Sequence, residues 1–186
     1  MIISFTQDLA ALFKIKLNIA HSKKFMGSPP LDDWVMGLLF SEKSSTGVFM
    51  IHRHSLLTLF VVSTTPNLTN CLNLLYEQLL TIIQNSGFID KKYCRYYHQL
   101  FYQIISVKHD NRLISGEIGY FKQHLRSFEE KAIINNKIIH SIEFVNFFNN
   151  LPKKQFDFKT SLEVFIELFK IHYEDPILMT VQDKIV

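Results

Sequence analysis

DWVMGLLF at 33–40, SEKSSTG at 41–47, VFMIH at 48–52, RHS at 53–55 and LLTLFVV at 56–62 follow one another without a gap. The three apolar runs are rich in the β-branched and aromatic residues that suit strands, and a polar turn and a tight corner separate them. Connections this short join antiparallel neighbours, because a parallel crossover needs a dozen residues or more. Residues 33–62 therefore read as an antiparallel three-strand meander. The same reasoning excludes a doubly wound parallel arrangement for this part.

Upstream, Met1 to Phe5 is a short apolar run suited to a further strand. Thr6 stands where a helix N-cap belongs, with a hydroxyl able to accept the free amide hydrogens of a helix beginning at Gln7. Leu9, Leu12 and Phe13 fall at helical spacing and predict one face packed on the sheet. From Leu17 the periodicity is lost, and Ser28-Pro29-Pro30 marks an extended loop.

Downstream of Thr64-Thr65-Pro66 the chain reads as helical throughout. Residues 67–85 carry Leu68, Leu72, Leu75, Leu79 and Ile82 at helical spacing and end near Gly87, a suitable C-terminal stop. Residues 90–107 carry Tyr93, Tyr97, Leu100, Phe101, Ile104 and Ile105, and predict a second helix. A third runs from about Ser115 to Ile134, and a fourth starts at Ser141 and stops before Pro152. Thr160-Ser161-Leu162-Glu163 is a capping box, in which the threonine and glutamate each satisfy the other's end of a new helix. Leu162, Phe165 and Phe169 give that helix an apolar stripe.

The fold class is thus α+β: a small, mostly antiparallel sheet, made of the N-terminal strand and the meander, packed against a C-terminal helical layer. Residues 1–151 form the α+β domain, and residues 152–186 are a helical extension packed on it or on a partner. A lone helix of this length is marginal in water, so its stripe must be buried somewhere. The expectation favours a neighbouring copy, in a two-fold homodimer.

With 186 residues, 47% of them hydrophobic and 17 of them Phe, the chain has ample material for one core. No apolar run approaches the ~20 residues that a spanning helix needs. The opening residues carry Asp8 and no basic segment, unlike a secretory leader, so a cytoplasmic location without membrane attachment is expected. The two cysteines, Cys71 and Cys94, lie in segments read as helix and are expected to be buried, reduced thiols. Net charge is +3 with no basic run, which is not a nucleic-acid footprint by itself.

Several constellations could carry chemistry. His52 and His54 are two apart in a strand and could converge on a metal, but no third ligand at a metal-binding spacing accompanies them, so no metal or cofactor is assigned. Lys91-Lys92-Tyr93-Cys94-Arg95-Tyr96-Tyr97-His98 has the composition of a stacking surface for single strands, although Tyr93, Tyr97, Leu100 and Phe101 also form one core-facing stripe. Asp33 and the only tryptophan, Trp34, open a strand behind the Pro-Pro loop. Asn111 and Arg112 mark a turn into a helix, where the guanidinium could clamp a carboxylate of the sheet, Asp33 first, or contact a partner. No nucleophile motif and no glycine-rich phosphate loop is present, so no catalytic residue is assigned.

The opening Ile2-Ile3-x-x-Thr6-x-x-Leu9-x-x-x-Phe13, the Asp33-Trp34 pair before an apolar strand, and Asn111-Arg112-x-x-x-Gly116 together resemble a family of small bacterial α+β domains of unknown function. The resemblance covers about residues 1–130, with Ser115 in place of an apolar residue and the chain after Leu151 as an addition. It implies a compact α+β domain, offers no chemistry, and groups Asp33, Trp34 and Arg112 as a set. The leading functional reading is a non-catalytic interaction or regulatory protein that binds another macromolecule, with a protein as partner, for example an accessory of a mobile element or a defence system. A nucleic-acid-binding protein is the alternative, and a hydrolase with a scattered His/Asp site comes third.

Overall fold

The computed structural model describes residues 2–16, 31, 33–41, 45–64, 67–87, 105–108, 112–134 and 141–174; for 105–108, 112–113, 129–134 and 172–174 it describes the backbone only. The meander is present as read, with β2 at Asp33–Ser41, β3 at Thr46–His52 and β4 at Thr58–Ser63, all antiparallel. Strand β1, Ile2–Phe5, lies beside β2 and runs parallel to it. A fifth strand, β5 at Ile105–Lys108, pairs in parallel with the other side of β1, giving the order β4-β3-β2-β1-β5. The longer ladders are the antiparallel ones.

Strand β5 corrects the helical reading of 90–107 over its last residues; residues 90–104 lie outside the described residues. Ile105-Ser106-Val107 is a short β-branched run, and what selects the strand is a partner over a hundred residues earlier in the chain. Local periodicity cannot register such a partner.

Two glycine–phenylalanine pairs knit β2 to β3. Gly37 faces Phe49 and Gly47 faces Phe40 across the ladder. A Cβ at Gly37 would collide with the Phe49 ring and one at Gly47 with the Phe40 ring. Each ring lies over the space its partner leaves empty, so both glycines are required by close approach.

Helix α1 is short, Gln7–Leu12, and buries Leu9 and Ala10 while Leu12 is exposed. Thr6 occupies its N-cap but makes no capping hydrogen bond, which corrects the role expected of its hydroxyl. Its methyl is seated beside Gly37, its amide donates to the Met36 carbonyl at 3.0 Å, and its buried hydroxyl has no hydrogen-bond partner. Helix α2, Leu68–Asn85, is capped by Asn67, whose side chain accepts from the Asn70 amide, and it ends at Gly87 with φ 76°. Its Cys71 is buried, and that burial pushes the thiol pKa up, as suits an unreactive core cysteine. Cys94 lies outside the described residues.

Among the described residues, three further α-helices follow: α3, Arg112–Ile134; α4, Ser141–Asn149; and α5, Ser161–Glu174. The helical layer is divided between the two faces of the sheet. Phe121 of α3 meets Phe49 and Phe60, while Phe165 of α5 meets Trp34 and His52. Phe49 and His52 are three apart on β3 and so point to opposite faces. The capping box is formed as read: Thr160 N–H donates to Glu163 Oε2 at 2.7 Å and Glu163 N–H to Thr160 Oγ1 at 3.1 Å. The stripe of α5 is buried within the chain itself, with Phe165 and Phe169 at most 1% exposed. Of the two destinations, the chain's own core receives it, which leaves those two rings with nothing to offer a second copy. Among the described residues, no helix is long and apolar enough to cross a membrane.

Candidate functional site

Asp33 begins β2 at the level of Ile2 and lies beside the corner that follows β3. That corner is tightly built. The His52 amide donates to the Leu57 carbonyl and the Leu56 amide to the His52 carbonyl, both at 2.8 Å, and Leu56 takes φ 58°. The Ser55 amide donates to His52 Nδ1, and the Leu57 amide donates to the Ser55 hydroxyl, which lies 2.7 Å from the same nitrogen. A backbone donor on Nδ1 makes that nitrogen an acceptor, so its lone pair is committed to the fold.

The corner presents Arg53. Its amide donates to the Asp33 carbonyl at 2.9 Å, its Nε donates to Asp33 Oδ1 at 3.0 Å, and its Nη2 donates to Ser4 Oγ at 2.7 Å. His54 Nε2 stands 4.0 Å from the other carboxylate oxygen and is nearly half exposed. Ser4 is buried, so Arg53 supplies the partner that a hydroxyl on an interior strand requires.

Of the sequence-derived set, only Asp33 and Trp34 are described with their side chains, and the two point to opposite faces of the sheet. Trp34 is fully buried, with its indole N–H donating to the Leu31 carbonyl and its ring 4.9 Å from His52. It is a core anchor. Arg112 is the first residue of α3 and only its backbone is described; Asn111 and the Lys91–His98 stretch lie outside the described residues. Strand β5 carries the chain to the Phe5 end of the sheet at Lys108, away from Asp33, four residues before Arg112. Arg53 is the functional-looking residue that the sequence reading passed over, between two histidines that drew the attention. His52 and His54 have ring centroids 5.9 Å apart, and among the described residues no three His, Cys, Asp or Glu side chains are grouped to hold a metal.

A second polar feature joins α3 to the segment that follows α4. Glu117 of α3 and Lys153, just past Pro152, form an ion pair buried at 8% and 4% exposure. The ammonium also lies 4.2 Å from the centroid of the Phe148 ring and 4.9 Å from that of Tyr120, a cation–π arrangement on two sides. Above it an aromatic seam joins α3 to α4. Tyr120 meets His124 edge-on at 4.3 Å, and His124 meets Phe147 at 6.3 Å. Phe121, Phe144 and Phe148 form the fully buried floor, while Tyr120 and Phe147 are 42% and 43% exposed. The apolar residues of α3 and α4 are visible in the sequence, but which of their rings stay exposed is decided by how the two helices pack; Phe147, for one, falls on the stripe that periodicity assigns to the core.

Residues 2–164 match the model of DUF6933, a domain of unknown function, and the chain belongs to that family. The match runs past the residues 1–130 that carry the resemblance and takes in Lys153 and the capping box, so the segment after Leu151 is part of the family's domain up to that point. No curated protein and no solved structure matches the chain.

Proposed function

We propose that this chain is a non-catalytic interaction protein that acts by binding another macromolecule, with a protein as its partner. The observation that supports the reading is the aromatic seam of Tyr120, His124 and Phe147, with Tyr120 and Phe147 exposed over a buried floor. Tyrosine and phenylalanine held in place by a packed base are the residues that dominate protein interfaces, because they bury large area while losing little side-chain freedom. The test is capture from the native host with cross-linking and mass spectrometry, using the unaltered chain beside a Tyr120→Ala/Phe147→Ala variant that keeps the fold. A single protein enriched by the first and lost with the second is the expected outcome. Sub-micromolar binding of a mixed DNA or RNA pool at physiological salt, with no protein captured, would reverse the reading in favour of nucleic acid.

A further inference from the structure

We infer that the outer edge of β4 is a latent strand-pairing surface, and that Gln78 and Asn149 keep it closed to a second copy of this chain. β4 is the last strand of the sheet on its side. Its residues 58–63, Thr-Leu-Phe-Val-Val-Ser, hold no charge and no proline, and its ladder with β3 has no bulge. Those are the usual devices that blunt an edge, and a run of this composition is the kind that pairs with its own copy.

The edge is closed by side chains instead. The Phe60 amide donates to Gln78 Oε1 at 2.7 Å, and Gln78 Nε2 donates to the Phe60 carbonyl at 2.8 Å. Two residues along, the Thr58 amide donates to Asn149 Oδ1 at 2.8 Å, and Asn149 Nδ2 donates to the Thr58 carbonyl at 2.7 Å. In an antiparallel ladder, a hydrogen-bonded pair of residues exchanges both N–H and C=O in this way. Each carboxamide therefore does what one residue of a sixth strand would do. The two come from different helices, α2 and α4, and both are buried, at 7% and 1% exposure. Apolar replacement would leave the Thr58 and Phe60 amides and carbonyls without these partners, so the two residues are poorly replaced by apolar ones.

Hydrogen exchange in the unaltered chain is the first measurement. The Thr58 and Phe60 amides are expected to exchange as slowly as those of Leu59 and Val61, which face β3. Faster exchange, typical of an open edge, would overturn the inference. The second is a concentration series in sedimentation with Gln78→Leu, Asn149→Leu and the double variant, each checked for helix content. The double variant is expected to associate with a rise in β signal while the unaltered chain keeps its mass. A double variant that is folded and keeps the unaltered chain's mass would equally overturn it. If the double variant does not fold, the single variants decide: a smaller rise in mass supports the seal, and no rise in either rejects it.

Discussion

Asp33–Arg53 and Glu117–Lys153 place the same chemistry in two environments. The first joins neighbouring strands, shares its guanidinium with Ser4, and keeps roughly a fifth of each side chain in solvent. The second joins a helix to a loop thirty-six residues away and is closed off by two rings. An accessible pair gains little net energy, because water competes for both charges. A buried pair is costly to assemble and more costly to break, because removing one partner strands the other in a poor solvent. The difference separates a contact that water can reach from a pin that holds α3 to the segment leading into α5.

The sharpest way to break this contrast is Lys153→Ala. It leaves Glu117 buried without its cation and is expected to cost about 3–5 kcal/mol in chemical denaturation. A Glu117→Leu/Lys153→Met double variant should recover most of that loss, since apolar replacement of a whole buried pair is often neutral. Recovery of nothing would mean that the rings, not the charge, make the pin.

Arg53→Ala should cost less, about 1–3 kcal/mol, chiefly from the stranded Ser4 hydroxyl. In a double-mutant cycle the Asp33–Arg53 coupling is expected below about 1 kcal/mol and falling with added salt, while the Glu117–Lys153 coupling is larger and insensitive to salt. Equal salt dependence in the two cycles would erase the distinction. An Asp33/Arg112 cycle should be additive, because Arg53 already holds the carboxylate.

The smallest effect expected is at the start of α5. Thr160→Ala should cost about 1 kcal/mol by thermal melt, the usual loss of an N-cap. The hydrogen bond from the Thr160 amide holds the Glu163 carboxyl below the ordinary carboxylate range. Its contribution to stability is therefore present above the unfolded-state pKa and lost as pH falls through the lowered folded-state value. Glu163→Gln should flatten that acid limb, and an unchanged acid limb would show that the box contributes nothing there.

The meander, the last helix and its capping box were legible because each is written in local chemistry: alternating or β-branched runs, a short polar turn, a threonine three residues before a glutamate. What was not legible depended on partners far away. Ile105–Lys108 is a strand because β1 is beside it, and Phe165 is buried because Trp34 and His52 receive it. Arg53 shows the point most finely. Counting back from the Ser41–Thr46 pair that closes the hairpin sets Asp33 opposite His54, and only the irregularity between Leu38 and Phe40 moves the register by one to Arg53. A bulge of one residue changes which side chain meets a carboxylate, and nothing in the composition of Leu38-Leu39-Phe40 announces it.

The position of β1 also bears on how the molecule is made. It is interior to the sheet, yet its two neighbours arrive about thirty and about a hundred residues later. As the chain leaves the ribosome, Ile2–Phe5 has no partner until Asp33–Met36 follows, and one side stays open until Ile105–Lys108 has emerged. Contacts of such wide separation are formed slowly, since a long loop must close before any bond repays it. An apolar strand left half-paired for that interval is exposed to capture by other nascent chains.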